Sequence, residues 1–117
     1  MSLHLNATDT LHAIHALADT LYRFPAGIDL RDAALFSSAF TEDAISDFRP
    51  AGAEAGFEYP MLQGRETIAE ALSSSLAALD TTHSFSNTRV VVDGDTARAD
   101  VLVEAQHVLR VDAPAST

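Results

Sequence analysis

The stretch Thr81 to Val111, TTHSFSNTRVVVDGDTARADVLVEAQHVLRV, constrains the fold more than any other part of the chain. It predicts two long strands joined at Asp93-Gly94-Asp95, because Asp-Gly between apolar runs is a strong hairpin signal. The second strand alternates. Thr96, Arg98, Asp100, Glu104, Gln106 and Arg110 fall on one face. Ala97, Ala99, Val101, Val103, Ala105, Leu109 and Val111 fall on the other. His107 belongs to the apolar set, so its ring is expected to point at the core or at a cavity in it. His83 opens the first strand.

Whether the two histidines share a face depends on the register. A two-residue turn pairs His83 with Glu104 or Gln106 and turns it away from His107. A three-residue loop sets Thr81 opposite His107 and His83 opposite Ala105, and both rings then share one face. A bulge has the same effect, since one extra residue inverts the alternation. Asp-Gly favours the tight turn. Phe85 and Asn87 beside Val101 and Val103 favour the shared face, so a longer turn or a bulge is expected.

Ahead of the hairpin the periodicity is helical. Thr8 or Asp9 can cap a first helix with Leu11, Ile14, Leu17, Leu21 and Phe24 on one stripe. His12 and His15 fall mostly off that stripe. Pro25 and Gly27 are read as its stop. A shorter second helix is expected from about Asp29, carrying Leu30, Ala33, Ala34, Leu35, Phe36 and Phe40, with Asp32 in its first turn. Ala44 to Arg49 reads as a short strand, Pro50 to Gly56 as a loop, and Phe57 to Leu62 as another strand. Gly64-Arg65-Glu66 opens a third helix with Ile68, Ala71, Leu72, Leu76 and Leu79 buried, ended by Asp80. Helices segregated from antiparallel strands give an α+β domain. The 117 residues, 47% of them hydrophobic, suffice for one domain with a core.

Composition narrows the partners. The formal net charge is −10, which disfavours nucleic acid and anionic membrane surfaces. All seven basic residues are Arg, and Cys is absent, so thiolate and disulfide chemistry are excluded. The amino-terminal residues lack the pattern of a signal peptide, and no apolar run approaches a membrane span, so a cytoplasmic protein is expected.

Several motifs together resemble a known family. Asp29-Leu30-Arg31-Asp32 with Phe36 and Phe40-Thr41-Glu42-Asp43-Ala44 is one. Gly64-Arg65-Glu66-x-Ile68 is a second. Thr82-His83-x-Phe85-x-Asn87, followed by Val92-Asp93-Gly94-Asp95-x-Ala97, is a third. In order and spacing they resemble the SnoaL-like domains of the nuclear transport factor 2-like superfamily, over about residues 8 to 111. The nearest branch resembles scytalone dehydratase.

The resemblance implies a single SnoaL-like domain over residues 1–117, with a tail at 112–117. Its fold is a cystatin-like or nuclear transport factor 2-like cone, a curved antiparallel sheet with three helices on its N-terminal side. Such domains usually continue with two more strands after the hairpin. The cone is therefore expected to be open, or completed by a partner chain, or the sequence given is incomplete. A long uncovered strand edge invites association, so a homodimer is expected.

By motif, the dehydratase's catalytic Asp falls on Asp29 and its first His on His83; its second His falls on His107 by position. Two tyrosines of that enzyme are missing: Ile28 stands beside Asp29, and Asp47-Phe48 occupies the other place. The implied activity is a lyase or isomerase, dehydratase- or cyclase-like, that uses acid–base chemistry without a cofactor or metal on a small hydrophobic cyclic ligand. The alternative is a non-catalytic small-molecule binding or dimerisation module. Asp29, His83 and His107 are the catalytic candidates. Asp47, Phe48, Tyr59, Phe85 and Asn87 are the ligand-binding candidates. Each has a plainer role open to it: Asp29 as a helix cap, His107 as a satisfied core histidine, the phenylalanines as core or pocket wall.

Overall fold

The computed structural model describes residues 6–110. His4, Val111 and the tail at 112–117 lie outside the described residues. The elements run α1 (Ala7–Asp29), α2 (Ala33–Ser37), β1 (Ile45–Asp47), α3 (Arg49–Ala55), β2 (Met61–Gln63), α4 (Arg65–Ser75), β3 (Leu79–Asp93) and β4 (Thr96–Leu109). The expected α+β class, helices with antiparallel strands, is what this order builds. The strands pair as two ladders, β1 with β2 and β3 with β4, rather than as one continuous sheet.

Helix α1 is longer than its sequence punctuation suggests. Asn6, not Thr8 or Asp9, caps it, its Oδ1 accepting the Asp9 N–H at 2.8 Å. Pro25 and Gly27 do not stop it. Pro25 removes one helical hydrogen bond at a cost of about 3 kcal/mol, which tertiary burial offsets. Ile28 extends the apolar stripe by one more turn into the core, and Pro25, Gly27 and Ile28 are all buried. Asp29 therefore ends α1 instead of starting α2. Gly27 lets α2 approach, since a Cβ there would lie 2.4 Å from the backbone nitrogen of Phe36. Asp32 is the cap of α2, accepting the Leu35 N–H at 3.0 Å. Arg23 braces the pair by donating to Ser38 and Thr20 while its Nε lies 3.1 Å from Asp19.

The core is small. Ile28, Phe36 and the fully buried Ile68 form its centre, packed by Phe24, Phe40, Leu62, Leu72 and Leu76. Phe24 ties three elements together, with its ring 5.3 Å from Phe36, 5.6 Å from Phe40 and 6.1 Å from Phe85. Gly64 precedes α4 at φ 94°, a backbone region that a side chain would strain. Leu79 and Asp80, expected at the end of that helix, already belong to β3.

The expected loop at 50–56 is instead α3, with Pro50 in its first turn and Gly56 left-handed just beyond its end. The strand expected at 57–62 is shorter and later, β2 at Met61–Gln63. Phe48 and Phe57, expected in the core or pocket wall, are exposed.

The long hairpin resolves the register. Asp93 pairs with Thr96, a two-residue turn opened by Gly94 at φ 60°. A bulge then sets Asn87 and Thr88 against Val101, and Asn87 takes φ 54°. The extra residue shifts the pairing so that Thr81 opposes His107 and His83 opposes Ala105. It also inverts the alternation, so Thr81, His83 and Phe85 before it and Thr88, Val90 and Val92 after it turn the same way.

Candidate active site

Helix α1 lies along β3, and its last residue meets the strand at His83. The Asp29 carboxylate receives three hydrogen bonds. Oδ1 accepts from Thr81 Oγ1 at 2.8 Å and from His83 Nδ1 at 2.7 Å. Oδ2 accepts the backbone N–H of His83 at 2.9 Å. Asp29 thus takes the place of a strand partner on the edge of β3 away from β4. Sequence reasoning missed Thr81. The signal for it was its place on the same strand face as His83, one alternation away.

Burial raises the Asp29 pKa, but the hydrogen bonds from His83 and Thr81 and the nearby imidazole outweigh it, leaving the carboxyl below its ordinary value. Ionised, Asp29 can only accept, so Nδ1 of His83 carries the hydrogen. In the neutral imidazole Nε2 is then left with a free lone pair. The His83 side chain is only 9% exposed, which fixes its ring against the carboxylate.

His107 stands across the hairpin, its ring centroid 5.7 Å from that of His83 and nearly perpendicular to it. The shared face expected from the register is present. The expected burial is not: His107 is exposed. Helix α1 covers β3, while β4 lies beyond its reach, so the apolar face of β4 stays open, with Val103 51% and Leu109 66% exposed.

The ligand-binding candidates divide. Phe85 lies next to His83 on the same face and packs on Phe24. Asn87 is the exposed bulge residue, and its role in the geometry is to set the register. Asp47, Phe48 and Tyr59 belong to the arm around β1 and α3. Asp47 is engaged by Arg49, through the backbone N–H and the guanidinium at 2.9–3.0 Å, and those bonds hold its carboxyl below the usual range. Tyr59 stacks on Phe57 and covers Gly52, where a Cβ would come within 2.6 Å of its ring. Among the described residues, no side-chain hydrogen bond or ring contact joins these three to Asp29, His83 or His107.

A recess of about 290 Å³ opens between the end of α1, α2 and α4, with Arg110 at its side. Ile28 lines it, but Asp29, His83 and His107 do not. His107 instead lies on the exposed face of β4, while the His83 ring is held against Asp29. Among the described residues, no three His, Asp or Glu converge as a metal site.

Residues 9–117 match the SnoaL-like domain family. The chain belongs to that family. This SnoaL-like domain is 29% identical over 107 residues to terrestric acid biosynthesis cluster protein E of Penicillium crustosum. That match covers 91% of the domain and 63% of the relative, so the chain spans less than two thirds of its length. Two solved structures share the fold. One is the Kfla4162 protein of Kribbella flavida, with TM-score 0.75 and 21% identity, covering 91% of the domain and 73% of that chain. The other is a putative scytalone dehydratase of Novosphingobium aromaticivorans, with TM-score 0.69 and 17% identity, covering 90% of the domain and 66% of that chain. The SnoaL-like domain thus shares its fold with a putative scytalone dehydratase, in keeping with the resemblance its motifs carry. Among its described residues, no helix is long and apolar enough to cross a membrane.

Proposed function

We propose that this domain is a cofactor-independent acid–base lyase or isomerase, dehydratase- or cyclase-like, acting on a small hydrophobic cyclic ligand. The observation that carries this reading is the Asp29–His83 hydrogen bond of 2.7 Å, which leaves Nε2 as a base beside His107. In a dehydration, His83 Nε2 takes a proton from the carbon next to a carbonyl. His107, protonated, delivers a proton to the departing hydroxyl. The C–H and C–O bonds break, a C=C bond forms and water leaves. Asp29 stabilises the imidazolium that His83 becomes, and Phe85 forms an apolar wall beside it. In an isomerisation the same base returns its proton to a different carbon. The relative's name, which places it in a biosynthesis cluster, supports a small-metabolite substrate. The domain acts as a cytoplasmic homodimer in which a second copy covers the open face of β4.

A second reading is a non-catalytic binding or dimerisation module. It is favoured by the exposure of His107 and by a recess that holds neither imidazole. A panel of hydroxylated cyclic ketones, followed by enone absorbance and by exchange of α-protons in deuterated water, separates the two. The catalytic reading expects turnover that falls about 10²–10⁴-fold in His83→Asn and His107→Asn. Exchange at the buffer rate across the panel, or equal rates in wild type and His83→Asn, favours the module.

A further inference from the structure

We propose that the recess between α1, α2 and α4 is a separate binding site for a small amphipathic monocarboxylate. Its walls are Ile28, Phe36, Leu72 and Leu76, and two guanidinium side chains, Arg31 and Arg110, stand among them. The volume, about 290 Å³, lies at the lower limit of ligand pockets and suits a single ring or a short alkyl chain.

The charge is the informative part. The chain carries 17 acidic residues against seven Arg, so acceptors for an arginine are plentiful. Arg23, Arg49 and Arg98 each have a carboxylate within 3.2 Å. The exposed Arg31 side chain makes no hydrogen bond or ion pair among the described residues, where its backbone N–H alone is engaged, by the Ile28 carbonyl. Arg110 donates through Nη2 to the Ala77 carbonyl, while its Nε is buried, has no hydrogen-bond partner among the described residues and lies 3.9 Å from Asp80. Two cations with unused donors beside an apolar hollow match one planar carboxylate with an apolar tail. A dianion fits less well, because the net charge of −10 opposes each added negative charge. The recess shares no lining residue with Asp29, His83 or His107, so this site stands independently of the acid–base reading.

The test is a titration of the whole chain, followed by backbone amide NMR, with octanoate and with its neutral counterpart octanamide. Octanoate is expected to shift Ile28, Leu72 and Leu76 saturably and to bind at least about tenfold more tightly than octanamide, as a charge-assisted pair requires. Arg31→Gln should narrow the preference for octanoate over octanamide, leaving the part that Arg110 supplies, and leave octanamide unchanged. Ala69→Phe, which fills the recess, should weaken both. Equal affinity for the two probes, an Arg31→Gln variant that binds octanoate as wild type does, shifts centred on His83 and His107, or no saturable shift would each overturn the assignment.

Discussion

Asp29 holds His83 at two points at once, the ring through Nδ1 and the main chain through its N–H. One carboxylate therefore sets both the position of β3 against α1 and the orientation of the imidazole. It does so from the C-terminal end of a helix, where the helix dipole disfavours a negative charge. The three donors, Thr81 Oγ1 and the two groups of His83, outweigh that cost.

Replacing Asp29 with Ala should destabilise the domain by about 2 kcal/mol at neutral pH, the range for lost hydrogen bonds to a half-buried charged acceptor. The folded-state pKa of Asp29 lies below its ordinary value. Its stabilisation is therefore full above the unfolded carboxyl value of about 3.9 and fades as pH falls through the lower folded value. Urea unfolding of wild type and variant across pH 3–7 should give a difference that is constant above about pH 5 and narrows toward the acid end.

Asn87 carries the bulge at φ 54°. Asn87→Gly should change stability by less than about 0.5 kcal/mol, while Asn87→Val should cost about 1–2 kcal/mol because a branched side chain resists the left-handed region. Thermal unfolding of both variants provides the comparison.

Gly27→Ala places a methyl against the backbone of Phe36, which cannot swing aside as a flexible side chain would. A loss of about 2–3 kcal/mol is expected. Because Asp29 is only two residues on, the His83 ring resonances should shift in the same variant.

His107 is exposed and holds no hydrogen bond among the described side chains. His107→Asn should leave stability within about 0.5 kcal/mol of wild type. A drop in turnover of at least about 10²-fold without a change in melting temperature would mark a catalytic role.

The helical stripe from Ile14 to Phe24, the buried Ile68 and the β3–β4 hairpin were legible because their periodicities survive in the folded chain. The shared face of His83 and His107 was legible too, since Phe85 and the valines of β4 could face the core together only with an extra residue in the ladder. The position of Asp29 was not. Pro25 and Gly27 are local stop signals, and burial of Ile28 overrode them. Helix α3 was readable in principle, because Pro50 at its start and Gly56 past its end bracket a helix as well as they bracket a loop. The exposure of His107 could not be read locally, since it depends on what lies over β4. Asp47 and Tyr59 were expected at the mouth as polar residues around apolar short strands, and Phe48 as pocket wall, whereas the neighbours of Asp47 and Tyr59, namely Arg49, Phe57 and Gly52, lie on another arm and Phe48 is exposed.

The most direct test of the acid–base account is the tautomer of His83, read from its ring ¹⁵N shifts by long-range ¹H–¹⁵N NMR above the pH at which it is protonated. The account predicts hydrogen on Nδ1 and a bare Nε2 in wild type, with that preference lost in Asp29→Ala. Hydrogen on Nε2 in wild type, or the same tautomer in both proteins, would contradict it.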